Sequence, residues 1–416
     1  MAPELDQLNK RRVERQIRKQ KALAQQRRKK TLAMLLVIAL MILGGVGLFF
    51  LLRAEEKETP PQEQATGVIN EVSEDATVIH LVAAGDVNVS DNIVGSGGSD
   101  YDYTNTFLDI AHLLAEGDIT VVNFEGNLIG APYGSATHSA PQNLLNQLSN
   151  CGVDLVQLAN SYAINQGISG LQATIRGVKE AGMEPLGVYA DEKAYKSEKG
   201  YTIREVQGIR IAFVAFTKGM DGMSLPQGSE NCVNVLYKDY DSTYQTVDQD
   251  KINKILDAVE AEKPDLTVAM LHWGSEYNDN VSKTQETIVD LLKNRGVDAI
   301  LGTHPHYVQE MSYDPETGFF VAYSLGDLLS DGKRSGTEYS VILNLEIAKQ
   351  NGMTKIMGYS FIPIFTVAER GKPLRSVRIA ETMSAYENNY LLRVQDSTYE
   401  SMTYALERIE ARTKGE

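Results

Sequence analysis

An α/β domain with a largely parallel core is the fold class the sequence predicts. From Thr77 onward, short β-rich apolar runs alternate with stretches of helical periodicity, the pattern of strand–helix–strand units. The residues that follow those runs are polar and of metal-ligand type, which suits strand ends collected on one edge of such a sheet. Ahead of the domain stands a long uncharged segment that reads as one transmembrane helix.

Seven strands are expected: Val78–Ala84, Ile119–Asn123, Leu155–Leu158, Ile209–Phe216, Leu266–Leu271, Val297–Leu301 and Phe319–Tyr323. Between them Leu171, Ile175 and Val178 recur at helical spacing, as do Ile252, Ile255, Leu256 and Val259, and then Ile288, Leu291 and Leu292. Gly182, Pro264 and Gly296 stop these helices where the next strand is due. A last helical stretch, Tyr390–Arg412, closes the chain.

The first thirty residues carry a net charge of +8, and Leu32 to Leu52 is a run of 21 residues without a charge. About 20 apolar residues cross a hydrocarbon core of roughly 30 Å. Positive charge beside a span keeps that side cytoplasmic, so the bulk of the chain is expected outside the cell. A cleaved signal peptide fits less well, because its apolar region is typically about 7–15 residues and ends at small residues, not at Phe49-Phe50-Leu51-Leu52-Arg53. Residues 54–76 are polar and acidic, with Pro60-Pro61, and read as a flexible spacer. The expected organisation is therefore a basic cytoplasmic tail (1–30), a transmembrane helix (31–53), a spacer (54–76), the extracellular domain (77–381) and a C-terminal helical segment (382–416).

Residues 54–416 carry a net charge of −24, which argues against nucleic acid and against a peripheral grip on anionic lipid. Cys151 and Cys232 are too few for a disulfide framework, and Cys151, where a helix ends, reads as a buried free thiol.

Six strand ends deliver the chemistry: Gly85-Asp86, Asn123-Phe124-Glu125, Ala159-Asn160, His272-Trp273-Gly274, Thr303-His304-Pro305-His306 and Gly326-Asp327. Three of the six histidines lie there. Imidazole with carboxylate suits Zn, Mn or Fe rather than a thiolate metal. His80, in mid-strand, His112, in mid-helix, and His138, in a loop, are read as structural.

Gly85-Asp86, Asn123-Phe124-Glu125, His272-Trp273-Gly274-Ser275-Glu276-Tyr277, Gly302-Thr303-His304-Pro305-His306-Tyr307-Val308-Gln309 and Tyr323-Ser324-Leu325-Gly326 resemble, in order over residues 78–365, the CapA family of bacterial capsule and poly-γ-glutamate synthesis proteins. The resemblance implies a metallophosphatase-like four-layer α/β sandwich with divalent metal ions at its strand ends. It also implies a single-pass anchor with an outward domain that makes, exports or anchors an anionic envelope polymer, alone or with its synthesis machinery. Under it Asp86, His304 and His306 hold metal, Glu125 bridges, and His272 completes a second site.

Two departures stand out. Where the family shows Ala-Asn-Asn-His and then an Asp, this chain reads Ala159-Asn160-Ser161-Tyr162, so Asn160, Ser161 and Tyr162 form the expected catalytic edge in altered form. The family's Gly-Asn is here Gly326-Asp327. Three functional readings stay open at this level. The domain is a metal-dependent hydrolase or transferase on an envelope substrate, a non-catalytic scaffold in polymer synthesis and export, or a solute-binding or sensor domain. Its acidity bears on the first two, because a polyglutamate chain is repelled unless metal ions or a basic strip intervene.

Overall fold

All seven expected β-rich runs form strands, and among the described residues eight further strands join them. A computed structural model describes residues 66–70, 72–73, 75–390 and 394–414. The expected tail, the transmembrane helix and residues 54–65 of the expected spacer lie outside these residues. Among the described residues no helix is long and apolar enough to cross a membrane.

In chain order the strands are β1 (Thr66–Ile69), β2 (Thr77–Asn88), β3 (Ile119–Glu125), β4 (Leu155–Gln157), β5 (Glu184–Leu186), β6 (Tyr201–Val206), β7 (Ile209–Thr217) and β8 (Leu266–His272). There follow β9 (Ala299–Thr303), β10 (Met311–Tyr313), β11 (Phe320–Ala322), β12 (Asp327–Leu329), β13 (Tyr339–Gln350), β14 (Met353–Val367) and β15 (Arg375–Arg378). One sheet runs β1-β14-β13-β2-β3-β4-β5, with β12 added on β2 and β15 on β14; the other runs β10-β11-β9-β8-β7-β6. The centre of each sheet is parallel, β2 to β5 in the first and β7-β8-β9-β11 in the second, while β13 and β14 extend the first as a long antiparallel pair.

Alternation along the strands builds four layers. Inward residues of both sheets, among them Leu81, Val121, Phe213, Val268, Leu301 and Leu343, share one buried core between the sheets. Outward residues of the first sheet, such as Val82, Val122 and Val156, pack under the helices Gln142–Asn150 and Gly167–Glu180. Those of the second, such as Val214, Leu271 and Ile300, pack under Gln249–Glu262 and Lys283–Asn294. Near-continuous apolar strands are what a sheet covered on both faces requires. Truncating one such side chain, Leu343→Ala, is worth about 2–5 kcal/mol.

Two expected boundaries are corrected. Thr66–Ile69, inside the stretch expected as a flexible spacer, pairs antiparallel with β14 from Thr66 opposite Phe361 to Ile69 opposite Gly358. The break expected at 382 falls within the helix Ile379–Glu387, and in the following helix, Asp396–Thr413, Met402, Ala405 and Ile409 enter the core between the sheets. The C-terminal segment is thus part of the fold. Both cysteines are buried.

Candidate metal centre

Strand register assembles the centre. Across the first sheet Asp327, Asp86, Asn123 and Gln157 are direct partners in successive ladders. Across the second, Thr217, His272 and Thr303 are. The two rows face each other at the carboxyl ends of their sheets, and His272 Nε2 meets Glu125 Oε1 at 2.8 Å between them. Close backbone approach makes this possible. A Cβ on Gly85 would stand 1.8 Å from the Gly326 carbonyl, the group that accepts from the Asp86 N–H, so only glycine lets β12 set Asp327 beside Asp86.

The loop after β9 supplies the remaining imidazoles. His304 and His306 flank Pro305 with φ of 90° and 60°, left-handed values that cost a non-glycine residue on the order of 1–3 kcal/mol and persist where the surroundings enforce them. Enforcement is visible. The His304 N–H donates to Asp86 Oδ2 at 3.1 Å, and the Pro305 carbonyl accepts from Tyr277 N at 2.8 Å. Gln309 Nε2 donates to the carbonyls of Asn278 and Asn280, and its Oε1 accepts from Gln285, the capping-box residue of Lys283–Asn294. Helix cap, rim loop and histidine turn are therefore one hydrogen-bonded unit.

Three groups of donors result, each with its ligand atoms within 4.8 Å of one another: Glu125, His272 and His304; Asp86, His306 and Asp327; and Glu276, His304 and His306. Every member is buried except Glu276. All five expected metal ligands are brought together here. Asp327, one of the six strand ends but not among the expected ligands, joins them, as does Glu276 of the His272–Tyr277 motif. Asp327 lies 2.8 Å from His306 Nδ1, a contact that only the β12–β2 register reveals.

Electrostatics favour a cation. Both ring nitrogens of His304 are buried without a hydrogen-bond partner. Burial, then the neighbouring His272 and Lys218, hold that ring well below the ordinary imidazole value, so it is neutral with one nitrogen lone pair to offer. Burial and then the Glu125 carboxylate push Asp86 well above the usual range. Burial also carries Asp327 up to about 6, against the pull of His306. Burial opposes charge on His306 too, but Asp327 and its hydrogen bond hold the imidazole well above its ordinary value. Glu125 is penalised by burial yet kept below its ordinary value by His272. A neutral imidazole with orphaned nitrogens beside carboxylates is the donor set of Zn, Mn or Fe, and the residues fit such an ion.

The outer donors are in place. His272 Nδ1 lies 3.1 Å from Thr217 Oγ1, and the Asn123 amide donates to Asp86 and Glu125. Such partners fix ligand orientation. Of the expected catalytic edge, Asn160 is buried with its amide committed: Nδ2 donates to Asn123 Oδ1 and the Phe124 carbonyl, and Oδ1 accepts from Tyr162 N. Tyr162 lines a cavity of about 170 Å³ together with Glu276, Tyr277, His306 and Asp327, whereas Ser161 is half-buried and does not line it. His138, expected to be structural, lines that cavity too, with its ring stacked on Tyr162.

Residues 80–332, the span that carries every one of these donors, match the family described as bacterial capsule synthesis protein PGA_cap. The chain belongs to that family. Among relatives of the PGA_cap domain, the capsule biosynthesis protein CapA of Bacillus anthracis is 27% identical over 272 residues, covering 62% of this chain and 61% of that protein. The PGA biosynthesis protein CapA of Bacillus subtilis is 23% identical over 205 residues, covering 49% and 50%. The alignments thus span only half to three fifths of the length of these relatives. Among solved structures, the calcineurin-like phosphoesterase YfkN of Bacillus subtilis aligns over 80% of this chain and 99% of its own, at 14% identity and a TM-score of 0.45. A phosphatase from Mycoplasma pneumoniae aligns over 70% and 94%, at 12% identity and a TM-score of 0.41.

Proposed function

We propose that this PGA_cap protein is a membrane-anchored ectodomain that acts outside the cell in synthesis, export or anchoring of an anionic capsule polymer of poly-γ-glutamate type, through a divalent-metal centre. The observation that carries the metal centre is His304, a buried neutral imidazole with both nitrogens orphaned between Glu125, His272 and His306. Glu125, His272 and His304 would hold one ion; Asp86, His306 and Asp327 would hold a second. A divalent ion there would supply Lewis acidity towards a carbonyl or phosphoryl oxygen and make a water more acidic. The chain's own residues orient the ligands through Asn123 and Thr217.

A second reading, binding without turnover, is favoured by Tyr162. Burial pushes its phenol above its ordinary value, so it stays neutral and supplies no positive charge to a developing anion. Elemental analysis of the purified ectodomain, with a broad phosphoester assay on wild type, His304→Ala and the double variant Ser161→Asn, Tyr162→His, separates the readings. Metal in wild type with little hydrolysis, raised in the double variant, supports a centre whose catalytic edge is altered. Brisk wild-type hydrolysis lost in His304→Ala supports the enzyme, and absence of metal removes both. The anchor is tested by adding protease to intact or wall-stripped cells: residues after about 60 are digested while the tail of net charge +8 stays protected.

A further inference from the structure

The three donor groups at the centre cannot all be filled at once. His304 belongs to the group of Glu125 and His272 and also to that of Glu276 and His306. His306 belongs to the latter and also to the group of Asp86 and Asp327. A neutral imidazole has one nitrogen lone pair, so neither ring serves two ions together. An ion in the group of Glu276 therefore excludes both buried ones, and two ions in the buried groups leave Glu276 with none. The outer group is an alternative to the pair, not a third place beside it.

Glu276 is the exposed member of these groups, and the other six donors are buried. An ion arriving from water therefore meets its carboxylate first. The loop that carries it is held down on the histidine turn. Tyr277 N donates to the Pro305 carbonyl at 2.8 Å, Lys218 Nζ donates to the Gly274 carbonyl at 2.8 Å, and Asp279 pairs with Arg408 and Arg412. Glu276 also lines the cavity of about 170 Å³ that reaches His306 and Asp327, together with Asp331, which is paired with Lys333 at 3.3 Å. The lining arginine, Arg334, lies over the Tyr277 ring, 3.7 Å from its centre. Pockets that enclose whole small ligands run to roughly 300–1,000 Å³, so this smaller, carboxylate-lined space suits a cation on its way in.

Two features make the outer group a place of passage. Its carboxylate is exposed, so water competes for the ion there as it does not at the buried donors. Lys218 acts electrostatically on both Glu276 and His304, and its positive charge weakens the hold on a cation between them. Neither ring nitrogen of His304 has a hydrogen-bond partner, so the ring is committed to neither group in advance.

We propose that Glu276 is the entry ligand of the centre: it takes a divalent cation from water and, with His304 and His306, hands it to the buried donors. This rests on the metal-centre reading above, and it gives the exposed carboxylate a part in loading and release rather than in the filled state.

The test uses the full chain, stripped of metal with a chelator and then mixed with manganese. Uptake is followed by loss of the free manganese resonance signal, release by a chelator chase, and final content by elemental analysis. An exposed position tolerates Glu276→Gln without unfolding. A ligand visited on the way in is visited on the way out, so this variant should slow uptake and release together and keep wild-type content. We expect a slowing of about tenfold, the low end of what a charged cleft adds to association rates. Asp331→Asn removes the same charge from the same cavity, where Lys333 already balances it, and should leave both rates within about twofold of wild type. Wild-type rates in Glu276→Gln overturn the proposal while leaving the metal centre standing. So does faster release with lower content, the mark of a permanent ligand. Equal slowing in the two variants overturns it as well, because cavity charge alone then sets the rate. A wild type that takes up no manganese fails at the metal-centre reading itself and carries this proposal down with it.

Discussion

The backbone N–H of His304 donates to Asp86 Oδ2 at 3.1 Å, while the ring of the same histidine has no hydrogen-bond partner for either nitrogen. The backbone is satisfied and the side chain is kept unsatisfied. Leaving a buried polar atom unpaired costs about 1–3 kcal/mol, so the ring is retained for something that pairs with it.

Under the proposed reading, divalent metal should therefore stabilise the wild-type domain. At a free metal concentration about 100 times the dissociation constant, linkage supplies about 2.7 kcal/mol. Thermal unfolding with and without manganese should show that gain in wild type and its loss in His304→Ala, whose metal-free stability stays close to wild type because the desolvated nitrogens leave with the ring.

Asp327→Asn keeps an oxygen near His306 but removes the charge that holds that imidazole protonated or bound. Metal content should fall by one ion as the group of Asp86, His306 and Asp327 empties, with the group of Glu125, His272 and His304 retained. Equal metal content in the two proteins would count against the assignment of two groups.

Asp298, remote from the metal centre, gives a pH dependence of known sign. Burial raises its carboxyl to about 6 in the folded chain, although its Oδ2 accepts from Thr267 N at 2.8 Å. Unfolded, an aspartate titrates near 3.9. Between these values the native state binds more protons, so this group's contribution to stability is full below about pH 4 and is lost as pH rises through 6. Denaturant midpoints of Asp298→Asn should lack that decline across pH 4–6 relative to wild type.

Arg408 and Arg412, on the helix Asp396–Thr413, both pair with Asp279, the former at 2.7 Å. Asp279 belongs to the rim loop that carries Glu276 and Tyr277. Replacing both arginines with alanine should cost about 1–2 kcal/mol, as for lost charge-assisted hydrogen bonds at a partly buried site. It should also bring limited proteolysis to residues 274–282 first. Cleavage elsewhere at the wild-type rate would show the helix does not brace the loop.

The parallel strands were legible because buried β-branched runs such as Leu266–Leu271 announce themselves, and the donors because each follows such a run. Three-residue strands such as β5, β10 and β12 are too short for periodicity to register. The pair β13–β14 escaped although Val341, Leu343, Leu345 and Ile347 alternate with Asn344 and Glu346; Gly358 and Pro363 interrupt the matching pattern in β14. Asp327 needed a register, and His138 needed the path of a loop with left-handed residues, neither of which local pattern encodes.

β1 also bears on how the domain is prepared. A chain cut at the first residue of β2 discards Thr66–Ile69 and bares the outer edge of the Gly358–Phe361 stretch of β14, whose other edge stays paired with β13. Bare ladder groups there form a template for a neighbouring molecule, and β14 is the longest strand described. Material begun at Thr77 should self-associate in solution, while material begun ahead of Thr66 should not, so the polar stretch before the domain hides a built-in guard against intermolecular sheet growth.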